Sequence, residues 1–195
     1  MGASTPYEAF ENFRTPLQTA LSCVHRKAHM WALMGSNGYS PGKEHALAPN
    51  RGEPVDLPGQ RRIKLISLFT YRIELAGRES DLWKVRTSAY RHALEDQAGQ
   101  EIIAYHWHPS QGSVYNFPHL HIGTGIGASL GDVHKFHIPT GRVALEDVLR
   151  LVIREFGVEA QRPDWEQVLW ETQTDHEAGR TWHGLGPLSP PPKDT

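Results

Sequence analysis

One cysteine, Cys23, stands in 195 residues, so no internal disulfide framework is available. A lone thiol suits a reducing compartment. No apolar run approaches the roughly 18 residues that a membrane-spanning helix needs. The opening MGASTPYEAF has neither a basic segment nor an apolar core, which argues against a secretory signal. Pro6 also breaks an otherwise near match to a myristoylation pattern. Charge of one sign is missing as well: 20 Lys and Arg against 22 Asp and Glu leave a formal −2. Such a balance advertises neither nucleic acid nor a membrane surface as partner. A cytoplasmic protein is expected. Its length suits one well-cored domain.

Several catalytic patterns are absent too. The glycines from Gly123 to Gly131 lack the Lys-Ser/Thr of a phosphate-binding loop. Cys23 has no base beside it to make a nucleophile. His25 and His29 have a metal-ligand spacing on a predicted helix, without the Glu of a metalloprotease motif.

What the chain has in excess is histidine, twelve in all. Four of them lie in YHWHPSQGSVYNFPHLHIG, Tyr105 to Gly123, as two H-x-H pairs flanked by Pro109 and Pro118. The frame around them reads as α+β. Thr5-Pro6-Tyr7-Glu8 and Thr15-Pro16-Leu17-Gln18 both resemble capping boxes, predicting two N-terminal helices within 1–34. Leu17, Leu21, Val24, Ala28 and Trp31 would form the apolar stripe of the second. Residues 35–60, rich in Gly and Pro and without periodicity, read as a linker or long loop. The core domain is expected over 61–171, and a Pro-rich disordered tail over 172–195.

In the core, alternation predicts strands over Ile63–Leu75, Trp83–His92, Ile103–His108 and His119–Ile122, with a fifth near Val133–Ile138. A helix is expected from about Ala144, ending at Gly157, and a short one from Pro163. Strands followed by helices without βαβ alternation predict an antiparallel sheet of about five strands, helices on one face and an N-terminal helical extension. Tyr71, Val85, Ile103, Trp107, Val148, Leu149 and Val152 are the expected core. Charge is segregated. Eight basic residues (Arg61, Arg62, Lys64, Arg72, Arg78, Lys84, Arg86, Arg91) face three acids between 61 and 91, whereas 146–177 holds nine acids and three arginines.

Residues i and i+2 of a strand share a face. His106 and His108 therefore point one way, as do His119 and His121. A hairpin pairing His106 with His121 and His108 with His119 would bring four imidazoles together. The same alternation places Lys84, Arg86, Ser88, Tyr90 and His92 on the polar face. Three readings follow. The first is a hydrogen-bonded histidine network without chemistry. The second is a zinc hydrolase with His106, His108 and His121 as ligands and one position open. The third, which uses more of the polar face, is metal-free cleavage of a phosphodiester or RNA. Acid and base would come from His106, His108, His119 and His121, with Tyr90 as a proton donor. Arg86, Arg91 and Lys84 would hold the phosphate. That leading reading needs no cofactor. A binding module docking a partner on the basic sheet face is the non-enzymatic alternative.

Pro118-His119-Leu120-His121, followed by the helix opening GRVALEDVLR, resembles the small bacterial TumE-type toxin-antitoxin proteins. The resemblance spans roughly residues 63–156. It implies a compact α+β core, a ribonuclease-like toxin component, an antitoxin-type protein partner and RNA as target.

Overall fold

The structure, a computed structural model, describes residues 2–33, 37–77, 79–109, 115–123 and 135–178, the side chains of 176–178 excepted. His134, His183, the side chains of Arg78 and His176, and most of the glycine segment after Gly123 lie outside the described residues.

The fold is α+β. Helix α1 (Pro6–Leu21) comes first, then strands β1 (Met30–Ala32), β2 (Glu44–Pro49), β3 (Val55–Asp56), β4 (Lys64–Leu75), β5 (Trp83–Glu95), β6 (Glu101–Trp107), β7 (His119–Ile122) and β8 (Ile138–Pro139). Helices α2 (Leu145–Arg154) and α3 (Trp165–Ala178) are the last described elements. The eight strands form one sheet in the order β1-β2-β4-β5-β6-β7-β8, with β3 also on β4, and every pairing is antiparallel. No helix among the described residues is long and apolar enough to cross a membrane.

The N-terminal region is one helix rather than two. Thr5 caps it, its hydroxyl accepting the Glu8 N–H at 3.1 Å. Pro16 sits inside the helix, not at a second start. The carbonyl it leaves without a donor belongs to Asn12, which faces solvent, so the helix tolerates the loss. The buried stripe is Ala9, Phe10, Phe13, Leu17, Ala20 and Leu21. Phe13 meets Phe69 edge-on at 5.7 Å between centroids, which seats α1 on the sheet. Beyond Leu21 the chain turns, and Met30 to Ala32 become an edge strand. The Gln18 amide makes the junction, accepting the Met30 N–H at 2.7 Å and donating to the Ala28 carbonyl at 2.9 Å.

The expected linker over 35–60 supplies β2 and β3. His45 lies opposite Tyr71 in β2–β4, and the Tyr71 hydroxyl donates to the Gly38 carbonyl at 2.8 Å. With β1, strands β2 and β3 raise the strand count among the described residues from the expected five to eight. Alternate residues of β4, from Leu65 to Ile73, are buried beneath the helices. Of the expected core, Tyr71, Trp107, Val148, Leu149 and Val152 are buried; Val85 and Ile103 are half-buried against it. Helix α3 runs to Ala178, into the segment expected to be tail. Arg150, buried, joins α2 to α3 through the Leu169 carbonyl at 3.0 Å.

One irregularity decides which side chains reach the site. Thr70 pairs with Ala89 but Tyr71 pairs with Thr87, so Ser88 is an extra residue in β5. A bulge of this kind reverses the alternation beyond it. Lys84 and Arg86 lie on the outer face, away from the helices. Past the bulge, that face carries Ala89, Arg91 and Ala93, while Tyr90 and His92 turn into the core.

Candidate metal centre

The outer face of the β6–β7 hairpin gathers the imidazoles. The observed register sets His106 opposite His119 and Ala104 opposite His121. It is displaced by two residues from the expected pairing, and a shift of two preserves the face. His106, His119 and His121 each offer a ring nitrogen, and these atoms lie within 4.8 Å of one another. Tetrahedral bonds of about 2.1 Å to zinc put neighbouring nitrogens roughly 3.4 Å apart. Small ring rotations would close the group on an ion.

His108, expected among the ligands, stands exposed beyond the end of β6, 6.0 Å from the His106 ring and 5.7 Å from the His119 ring. His119 takes the place proposed for it. His137, just before β8, joins from the other side. Its ring lies 4.5 Å from that of His121 and 5.0 Å from that of His119, and it stacks on Tyr115 at 3.8 Å. Sequence spacing does not keep His134 and His137 on one face together, but His137 alone reaches the edge of the cluster. The signal for it was the short apolar pair at β8, which extends the sheet past β7.

The hydrogen bonds around the rings define their chemistry. His119 is 1% exposed, and its Nδ1 lies 2.8 Å from the Phe117 carbonyl. A carbonyl only accepts, so Nδ1 carries the proton and Nε2 presents a lone pair. That Nε2 is buried without a hydrogen-bond partner among the described residues, and so is Nε2 of His106. Leaving such an atom unsatisfied costs about 1–3 kcal/mol. Burial, reinforced by the neighbouring His121, Arg91, His119 and His108, pushes the His106 pKa down to about 3. Burial lowers that of His119 too, against the opposing pull of the Phe117 carbonyl. Both rings are therefore neutral at pH 7, the form that ligates metal.

A stability consequence follows. Below pH 6.5 the unfolded chain protonates this ring while the folded chain resists until the pH nears 3. The unfolded state thus binds the extra proton, and stability falls as pH drops through that window. Between pH 6.5 and 5 the His106 contribution to the loss is roughly 2 kcal/mol. Urea unfolding of the metal-free chain and of His106→Gln at both pH values checks this. The variant should lose correspondingly less; equal losses would contradict it.

The expected phosphate and proton groups are placed unevenly. Arg91 faces His106 across β5–β6, its guanidinium held by Glu101 at 2.8 Å. Arg86 and Lys84 share that sheet face, but their β4 partners Arg72 and Glu74 lie four and six residues from Leu68, the partner of Arg91, about 13 and 20 Å at the usual strand rise. There they pair with Glu74 at 3.9 and 3.6 Å. Tyr90 is on the core face because of the bulge, and its hydroxyl accepts the Val143 N–H at 2.9 Å. His92 is buried beside Ser67, 3.0 Å from its hydroxyl. His25 is in a turn rather than a helix, its Nδ1 accepting the Ala28 N–H at 2.9 Å, and His29 lies against Trp31.

No protein-family model, curated protein or solved structure matches the chain. The TumE-type resemblance accordingly rests on its own short motifs.

Proposed function

We propose that the protein is a zinc-dependent hydrolase whose ion is held by His106, His119 and His121. The observation that carries this is the pair of buried, unpartnered Nε2 atoms of His106 and His119, in a group that includes His121 and whose ring nitrogens lie within 4.8 Å of one another. An all-imidazole set suits zinc and its neighbours in the first transition row rather than magnesium or calcium. The Phe117 carbonyl behind His119 is the outer partner that orients a ligating imidazole and fixes its tautomer. Neutral His106 and His119 have no proton to shed before they bind.

With His106, His119 and His121 as ligands, zinc would keep a fourth position for water and would supply an activated hydroxide for ester or amide hydrolysis. His137, half-buried and stacked on Tyr115 with its ring 4.5 Å from that of His121, would serve as a base near the ion. The metal-free reading draws less support. A general acid or base at neutral pH needs a pKa near 7, and His106 is held far below it. Tyr90, its proposed proton donor, faces the core.

The test is chelation followed by dialysis against zinc, then metal analysis and hydrolysis of p-nitrophenyl acetate and bis(p-nitrophenyl) phosphate. One zinc per chain is expected, with hydrolysis of at least one ester lost on chelation and restored by zinc. Chelated protein that hydrolyses as fast as the zinc form would return the metal-free reading. Zinc-loaded protein inert to both esters would leave a binding module.

A further inference from the structure

β6 leaves the sheet at Trp107, which pairs with Tyr90, whereas β5 continues back to Trp83. A cavity of about 660 Å³ opens beside that stretch. Its size is that of a small-molecule site. We propose that it binds a small phosphorylated molecule through its phosphoryl group, independently of the histidine centre.

The lining carries four cations, Arg72, Lys84, Arg86 and Arg142, against two carboxylates, Glu44 and Glu74. The carboxylates are loosely engaged. Glu44 meets Arg72 at 3.5 Å, and Glu74 is shared between Lys84 at 3.6 Å and Arg86 at 3.9 Å. Open pairs of such length hold little energy and yield readily to a stronger anion. Arg142 is different. Its guanidinium lies 3.5 Å over the centre of the Trp107 ring, which fixes its plane. Burial opposes its charge, and Arg86 is near enough to oppose it further. An anion between the two guanidiniums relieves both effects.

A second, independent feature is Ser88. The bulge residue lines the same cavity, and its hydroxyl is buried with no hydrogen-bond partner among the described residues. Bulges often re-aim a side chain beside a binding site. A donor hydroxyl with two guanidiniums matches the several acceptor oxygens of a phosphoryl group better than a carboxylate. A pocket rather than an open basic stripe favours a small phosphate ester over a nucleic-acid backbone.

The test is calorimetric titration of the full chain, metal-free, with inorganic pyrophosphate, and with acetate and a single-stranded oligonucleotide for comparison. Saturable 1:1 binding of pyrophosphate is expected, with acetate weaker. Arg142→Gln and Arg86→Gln should each weaken it by about tenfold or more, as for one charge-assisted hydrogen bond. Ser88→Ala gives the same direction with no change of charge. His121→Ala should bind pyrophosphate as the wild type does. Three results would overturn the proposal: no saturable binding, binding lost in His121→Ala but kept in both arginine variants, or an oligonucleotide preferred to pyrophosphate. Arg86 is exposed, so its variant stays informative even if Arg142→Gln fails to fold.

Discussion

His121→Ala is expected to weaken zinc binding by well over the 10–100-fold that loss of an outer-sphere partner costs, because it removes a ligand itself. Its ring centre lies 4.8 Å from that of His106 and 4.9 Å from that of His119, and its ring nitrogen completes the group of three that lie within 4.8 Å of one another. His108 and His137 flank the group and do not complete it. The side chain is half-buried and its neighbour across the hairpin is Ala104, so truncation leaves the metal-free fold close to its original stability. Zinc at a hundred times its dissociation constant stabilises the wild type by about 2.7 kcal/mol. For a chain of this size that raises the melting temperature by about 5–10 °C. His121→Ala should show no such rise at the same zinc concentration. A variant that still gains the full shift would place the ion elsewhere.

Gly123→Ala should be the most damaging single change near the site. A Cβ there would stand 1.7 Å from the Glu101 carbonyl oxygen and 2.3 Å from its carbon. Both are backbone atoms, so no side chain can swing aside. The Gly123 N–H donates to the Ile102 carbonyl at 2.7 Å, which pins β7 against β6 at this close approach. Relieving the clash means parting the strands that carry His106 and His121. A loss of about 3 kcal/mol in unfolding free energy is expected, at the upper end for overpacking, together with weakened zinc binding. Gly42→Ala is the control. Its φ of 73° strains an alanine, but the space around it is open and it is remote from β7. Chemical unfolding and zinc titration of both variants check this. Equal stability losses, or unchanged zinc affinity in Gly123→Ala, would contradict it.

The parts of this fold legible in the sequence are those governed by one periodicity at a time. Strand β4 alternates cleanly from Leu65 to Ile73 and was readable to within a residue of its ends. The H-x-H pairs were readable as same-face pairs for the same reason, and their convergence survived a two-residue error in register. Unbroken alternation puts Tyr90 on the outer face, and the extra residue Ser88 turns it into the core. Nothing in TSAYRH marks a bulge, which arises from how β4 and β5 must pair. Residues 44–49 hid a strand because EHALAP is short, ends in proline and sits among glycines. It is a strand because β4 offers it an edge. Thr15-Pro16 has the composition of a helix start, yet a helix already formed passes through it. A spacing of three puts His134 and His137 on opposite strand faces, which hides that His137 by itself reaches the cluster beside His121.

Zinc K-edge X-ray absorption on the chain loaded with one equivalent of zinc tests the central claim most directly. Three imidazole nitrogens are expected at about 2.0–2.1 Å, visible by their ring multiple-scattering, with one further light ligand. In His119→Ala the imidazole count should fall by one. A wild-type spectrum of oxygen ligands alone, or one unchanged in His119→Ala, would contradict it.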